Sequence, residues 1–177
     1  MKTLCLGGAL LGFLPASGAC AAPPPPGDGA KDVVHIGTMS VARAAHQGTR
    51  LPSGWVLVIG GAPRDDRNQR HRSTELFDPA TGRFTPGPDL RAPRYKLPDG
   101  AVLLTNGDVL VAAGDARIER FSARTQRFAT LPGDMDGASE FATATRLDNG
   151  DVLVLGGYDD TMQTTASAWR VRAGDSD

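Results

Sequence analysis

One phrase occurs three times in the chain: "SGWVLVIGG" at 53–61, "NGDVLVAAG" at 106–114 and "NGDVLVLGG" at 149–157. Aligned over fourteen positions, 48–61 and 144–157 share nine residues (TRL, the turn Gly, VLV and GG), and 101–114 shares nine with 144–157 (Ala, Leu, NGDVLV and the last Gly). A repeat at this spacing dictates a modular architecture before any other feature is weighed.

Each copy has the same physical grammar. A turn pair, Ser53-Gly54, Asn106-Gly107 or Asn149-Gly150, joins two apolar runs. Gly and Asn are the residues that accept positive φ in a tight hairpin. The runs that follow, 56–59, 109–112 and 152–155, are apolar throughout rather than alternating, so both of their faces must be covered. A glycine pair closes the phrase, Gly60-Gly61 and Gly156-Gly157, replaced by Ala113-Gly114 in the middle copy. It predicts a sharp turn or a close backbone approach.

A second echo follows. "ELFDPATGRF" at 75–84 aligns with "ERFSARTQRF" at 119–128, and Phe77 and Phe84 have the same separation as Phe121 and Phe128. Asp78-Pro79-Ala80-Thr81-Gly82 is turn chemistry between two strands. In the third copy Trp169 is expected where the first aromatic belongs, and the chain ends before a second. Each unit thus reads as four short strands at a period of about 45–50 residues, which suits a propeller blade. Abundant Gly (22) and Pro (13) agree with short strands and many turns rather than helices.

The N-G-D-V-L-V-x-G-G phrase, the following E-L-F-D-P-A-T-G-R-F and the lead-in "MSVARAAH" at 39–46 resemble kelch repeats of the kind found in galactose-oxidase-like propellers. The resemblance covers about Val33 to Val171. It implies an all-β fold, a partial kelch-type β-propeller of about three four-stranded antiparallel blades, near 40–90, 91–135 and 136–174, within a domain of 32–177. It departs from the family at Ala113-Gly114, in having Phe for the usual Trp, and in the incomplete last blade. A copper-radical site of the galactose-oxidase kind needs Tyr, Cys and His ligands. Downstream of Cys20 the chain has Tyr95 and Tyr158 and no further Cys, so that activity is not carried over.

Three blades are too few to close a ring, since propellers use four to eight. Left open, the arc shows two apolar faces to water. The segment 32–39, "DVVHIGTM", reads as an orphan outer strand, and the last blade lacks its own after Val171. Two arcs placed head to tail with exchanged outer strands, a homodimer completing a six-bladed propeller, would solve both problems. A truncated remnant of a longer propeller is the alternative.

The first 21 residues have the layout of a secretory signal peptide: Lys2, an apolar run 4–14, then small residues ending A-x-A at Ala19 and Ala21. "SGAC" also resembles a lipobox, which would make Cys20 a lipidation site and the only link to a membrane. The stretch 22–31 is a Pro-rich linker. The protein is expected to be exported, periplasmic or extracellular. A net charge of −1 gives no reason to invoke nucleic acid.

Candidate chemistry is sparse. His35, His46 and His71 lack metal-ligand spacing, and no metal or cofactor is expected. Glu75 and Glu119 recur beside Arg43 and Arg94, which suggests charged hydrogen bonds within blades. The polar loops between second and third strands are the candidate ligand site. They carry Arg64, Asp65, Asp66, Arg67, Arg70 and His71 in the first copy, and Tyr158, Asp159 and Asp160 in the third. In an antiparallel blade these loops share one rim with the connections between blades. The reading is a binding module for a protein or carbohydrate, non-catalytic, with a sugar-active lyase, hydrolase or isomerase as the alternative.

Overall fold

The computed structural model describes residues 32–173. The expected signal peptide, Cys20 and the Pro-rich linker lie outside the described residues. The chain divides into two units, Met1–His35 and Ile36–Asp177. In the first, the described residues 32–35 form no regular element.

The second unit is built of three antiparallel sheets. Blade 1 is β1 (Gln47–Arg50), β2 (Val56–Ile59), β3 (Thr74–Asp78) and β4 (Arg83–Pro86), paired in chain order. Blade 2 repeats this with β5 (Ala101–Leu103), β6 (Val109–Val111), β7 (Arg117–Ser122) and β8 (Arg127–Asp134). Among the described residues blade 3 has three strands, β9 (Thr143–Arg146), β10 (Val152–Leu155) and β11 (Ala168–Val171), one fewer than blades 1 and 2. The first strands of successive blades adjoin, β1 with β5 and β5 with β9. The result is a β-propeller-like arc. Residues 32–39, expected as a strand, form no ladder.

The turn glycines take the backbone conformation their type predicts: Gly54, Gly107 and Gly150 have φ of 92°, 88° and 86°. In the two Asn-Gly copies the Asn side chain also accepts from the Asp N–H two residues on, at 3.0 Å for Asp108 and 3.1 Å for Asp151.

Continuous apolar runs are needed where a sheet has a neighbour on each face, as the middle one does. Val109, Val111, Phe121 and Phe128 face blade 1 and pack on Leu57 and Ile59. Leu110 and Ala112 face the other way, onto Val152 and Val154 of blade 3. The middle blade is therefore dry on both sides. Its residues Val109, Leu110, Val111 and Phe121 are fully buried.

The glycine pairs lock blades together. Gly61 N–H donates to the Arg94 carbonyl of the next blade at 2.9 Å, and Gly114 N–H to that of Ser139 at 3.1 Å. A Cβ on Gly61, Gly114 or Gly157 would lie 2.8, 2.8 or 2.6 Å from the carbonyl oxygen of Ala44, Tyr95 or Glu140. The same approach is made three times. In the middle blade Ala113 supplies a Cβ that its counterparts lack, and Gly100 makes room for it: a Cβ there would lie 2.2 Å from that of Ala113.

The recurring charges are structural, as expected. Arg43 bonds Glu75 at 2.9 Å and Arg94 bonds Glu119 at 3.2 Å, every one of the four side chains being buried. Each glutamate also accepts from two backbone N–H groups of its lead-in, Ser40 and Val41 or Arg91 and Ala92. Burial raises the Glu75 carboxyl, but these hydrogen bonds and the Arg43 guanidinium outweigh it and hold the group below the usual carboxylate range. Burial pulls the Arg94 guanidinium down from its ordinary value, opposed chiefly by the Glu119 charge.

Blade 3 departs from the expected register. Val58 pairs with Glu75, Val111 with Glu119 and Val154 with Trp169. Trp169 therefore occupies the glutamate position, and Val171, opposite Val152, takes the aromatic one. The pairs Arg120–Asp108 (3.3 Å) and Arg170–Asp151 (3.7 Å) fix the same register independently. Ser139, whose backbone oxygen replaces that of Arg94 in the glycine stitch, stands where the arginine would be. Blade 3 has neither member of the ion pair, so no charge is orphaned at these positions.

Candidate functional site

β2, β6 and β10 all end at the rim where the connections between blades arrive. Each connection enters through three residues: Arg43-Ala44-Ala45, Arg94-Tyr95-Lys96 and Ser139-Glu140-Phe141. The third has positive φ every time, 47° at Ala45, 56° at Lys96 and 58° at Phe141. A left-handed conformation at a residue as large as Phe is strained and persists only where its surroundings impose it. The Phe141 N–H is held by the Lys96 carbonyl at 2.6 Å, and Glu140 exchanges backbone hydrogen bonds with Tyr158 at 3.1 and 2.8 Å.

These positions assemble a cluster that spans all three blades. The Tyr95 hydroxyl donates to Asp65 of blade 1 at 2.6 Å. Lys96 Nζ lies 3.4 Å from the same carboxylate and 3.6 Å from Glu140 of blade 3. It also sits 5.1 Å from the Tyr95 ring centroid and 5.9 Å from that of Phe141. Phe141 meets Tyr158 edge-on at 6.2 Å and is 43% exposed. Glu140 is buried while Asp65 reaches into solvent.

The charges bias one another. Burial, then the hydrogen bond and charge of Asp65 and the charge of Glu140, push the Tyr95 phenol up to about 12. In return the Tyr95 hydrogen bond, aided by the Lys96 charge, holds Asp65 below its ordinary value. The phenol is a neutral donor and the carboxylate a charged acceptor across the neutral range.

A second polar depression, about 320 Å³, is lined by loop residues Arg70, Asp115 and Asp160 and by Arg117 and Asp134 at the ends of β7 and β8. The Arg117 guanidinium bonds Asp115 at 3.1 Å. A smaller recess of about 180 Å³ is lined by Ser139, Tyr158, Asp159 and Trp169. Among the described residues, no group of three or more His, Cys, Asp or Glu is arranged to hold a metal ion.

The rim thus gathers some of the residues singled out from sequence and sets others aside. Asp65 joins the Tyr95–Lys96 cluster, Arg70 and Asp160 share the larger depression, and Tyr158 and Asp159 share the smaller. Asp66 caps the 3-10 turn Arg67–Gln69 by accepting from the Asn68 N–H, and highly exposed Arg64 lies 3.8 Å from it. His71 bridges to the Arg94 backbone and has Nε2 3.3 Å from the Ala42 carbonyl oxygen. Tyr95, Lys96, Glu140 and Phe141 escaped the sequence reading. Their signal was present: they occupy the lead-in positions held by Ala44 and Ala45 in the first copy.

The fold is therefore that of a β-propeller, represented here by an arc of three blades. The solved structure of YjhT is similar to it, with a TM-score of 0.62 and 10% sequence identity over 75% of this chain and 49% of that one. The chain spans about half the length of that neighbour. No protein-family model and no curated protein matches the sequence.

Proposed function

We propose that the chain is an exported, kelch-type propeller module that binds a carbohydrate on its rim without turning it over. One observation carries the reading: the half-exposed Phe141 and its edge-on neighbour Tyr158 lie beside the Asp65–Tyr95–Lys96–Glu140 group. A sugar ring offers an apolar C–H face and a polar hydroxyl edge. Aromatic side chains take the first, while carboxylates, a phenol and an ammonium group take the second. The Arg70–Asp160 depression, at about 320 Å³, is of a size to hold a further residue of the same ligand.

The test is a panel of soluble oligosaccharides titrated against the folded protein. Binding is expected for at least one class, with loss of roughly tenfold or more in affinity on Phe141→Ala or Lys96→Ala. Arg64→Ala should leave affinity unchanged. Binding that survives both rim changes would place the ligand elsewhere.

A sugar-active enzyme is the second reading. It draws on the buried Glu140 beside Lys96 and Tyr95, groups able to move protons. Following the bound sugar by NMR separates the two, because a pure binder leaves its spectrum unaltered with time.

A further inference from the structure

We infer that two copies of this chain close into one ring, with residues 33–38 of each pairing as an outer strand on the edge of the other's third blade. The inference stands on the fold and not on the ligand proposed for the rim.

Equivalent side chains are buried where a neighbouring blade exists and bare where it does not. Leu57, Ile59 and Leu110, which face the following blade, are fully buried; in blade 3 Leu153 is half-buried and Leu155 is 41% exposed. Phe121 and Phe128, which face the preceding blade, are 0% and 2% exposed. Their counterparts in blade 1, Phe77 and Phe84, keep the ring contact at 4.8 Å but are only half-buried. The two ends of the arc thus need the surfaces that the opposite ends of a second arc present.

The internal register says which segment crosses over. Val33 precedes Arg43 by ten residues, as Phe84 precedes Arg94 by ten. Val33 to Thr38 therefore hold the places that Phe84 to Asp89, the end of β4 and its connection, hold before blade 2. They are the outer strand and exit of a blade whose other strands are not among the described residues. Val33, Val34 and Ile36 are 87%, 67% and 63% exposed.

The receiving groove is present. β11 is an edge strand among the described residues. Beside it runs a groove of about 370 Å³ lined by Ile118, Leu131, Met135, Trp169 and Val171, with Arg120, Arg170 and Arg172 at its margin. An exposed edge strand over an apolar groove is a template for an added strand. Copying the β3–β4 register, Phe77 opposite Phe84, sets Val33 against Val171, Val34 against Arg170 and His35 against Trp169. The glycine stitch would also continue, Gly157 N–H reaching the Arg43 carbonyl of the second copy as Gly114 reaches Ser139.

Sedimentation equilibrium of the full chain tests the ring: about 37 kDa is expected, twice the 18.5 kDa of one chain. Leu155→Arg, at an exposed end position, should raise the dimer dissociation constant about tenfold or more. In a background of Cys5→Ser and Cys20→Ser, Val34→Cys with Arg170→Cys should oxidise to a covalent dimer, and neither cysteine alone should do so. A folded 18.5 kDa monomer overturns the inference, as does a disulfide formed within one chain or a dimer that refuses the cross-link.

Discussion

Replacing Glu119 by Ala exposes how much the middle blade depends on its ion pair. The Glu119 carboxylate accepts from the Arg91 and Ala92 N–H groups at 2.7 and 3.0 Å and from the Arg94 guanidinium, with both side chains fully buried. Truncation leaves a buried cation with bonds only to the Ala113 and Arg117 carbonyls, and two backbone donors with nothing to meet. Breaking a buried pair by removing one partner costs about 3–5 kcal/mol. That total includes part of the roughly 1–3 kcal/mol for each unmet donor, because neighbouring losses do not add. For a chain of this size the loss lowers the melting temperature by about 6–20 °C, at roughly 2–4 °C per kcal/mol.

Urea unfolding followed by circular dichroism reads this directly, as a lower midpoint at constant slope. The decisive comparison is the double variant Arg94→Met with Glu119→Leu, which removes both charges and keeps apolar volume. It should unfold at higher urea than Glu119→Ala alone, because the larger part of the cost is the stranded guanidinium. Blade 3 already runs that experiment, carrying Ser139 and Trp169 at the two positions. A loss below about 1 kcal/mol for Glu119→Ala, in the range of an exposed pair, would refute the reasoning. So would a double variant less stable than the single.

Three further outcomes follow from the rim and the turns. Gly157→Ala, at φ 99° with its Cβ 2.6 Å from the Glu140 carbonyl, should destabilise far more than Gly54→Ala, at φ 92° in open space, in the same urea assay. Phe141→Gly relieves a left-handed backbone at φ 58°; it should keep stability within about 1 kcal/mol of the parent while weakening carbohydrate binding, a separation that calorimetry and titration measure together. Tyr95 should titrate only near pH 12, in a step of the ultraviolet absorbance that Tyr95→Phe removes. Its folded pKa lies above the unfolded value of about 10, so the folded state holds the proton more tightly. The stability it contributes is complete below that unfolded value and is lost as pH rises through 12.

The repeated phrase made the blades legible because its demands are local: a glycine at a left-handed turn, an apolar run covered on both sides, a glycine under a carbonyl. The ion pairs were legible because Arg43 with Glu75 and Arg94 with Glu119 recur in step. Setting Trp169 at the place of the first aromatic is two residues out of register, a slip that keeps side chains on the same face and so is invisible to alternation; it shows only in the strand pairing, where Arg170 beside Asp151 reproduces Arg120 beside Asp108. Most of the rim cluster was hidden for a different reason. Asp65, Lys96 and Glu140 come from three repeats and meet only because consecutive blades set their lead-ins side by side. Asp65 was found through its polar loop; its partners lie in the short connections, where a single residue per blade carries the variation.

The third blade's departures form one set. Among the described residues blade 3 has no outer strand, so the second strand-to-strand ladder that flanks the glutamate in blades 1 and 2 is absent there, and an acidic side chain would face the apolar groove of Ile118, Leu131 and Met135. Trp169 and Val171 cover that groove with carbon instead, and Ser139 removes the cation that would have been stranded. The apolar edge so formed is a surface that the strand inferred above to come from a second copy would dry on contact, with Arg120, Arg170 and Arg172 kept to the groove's margin.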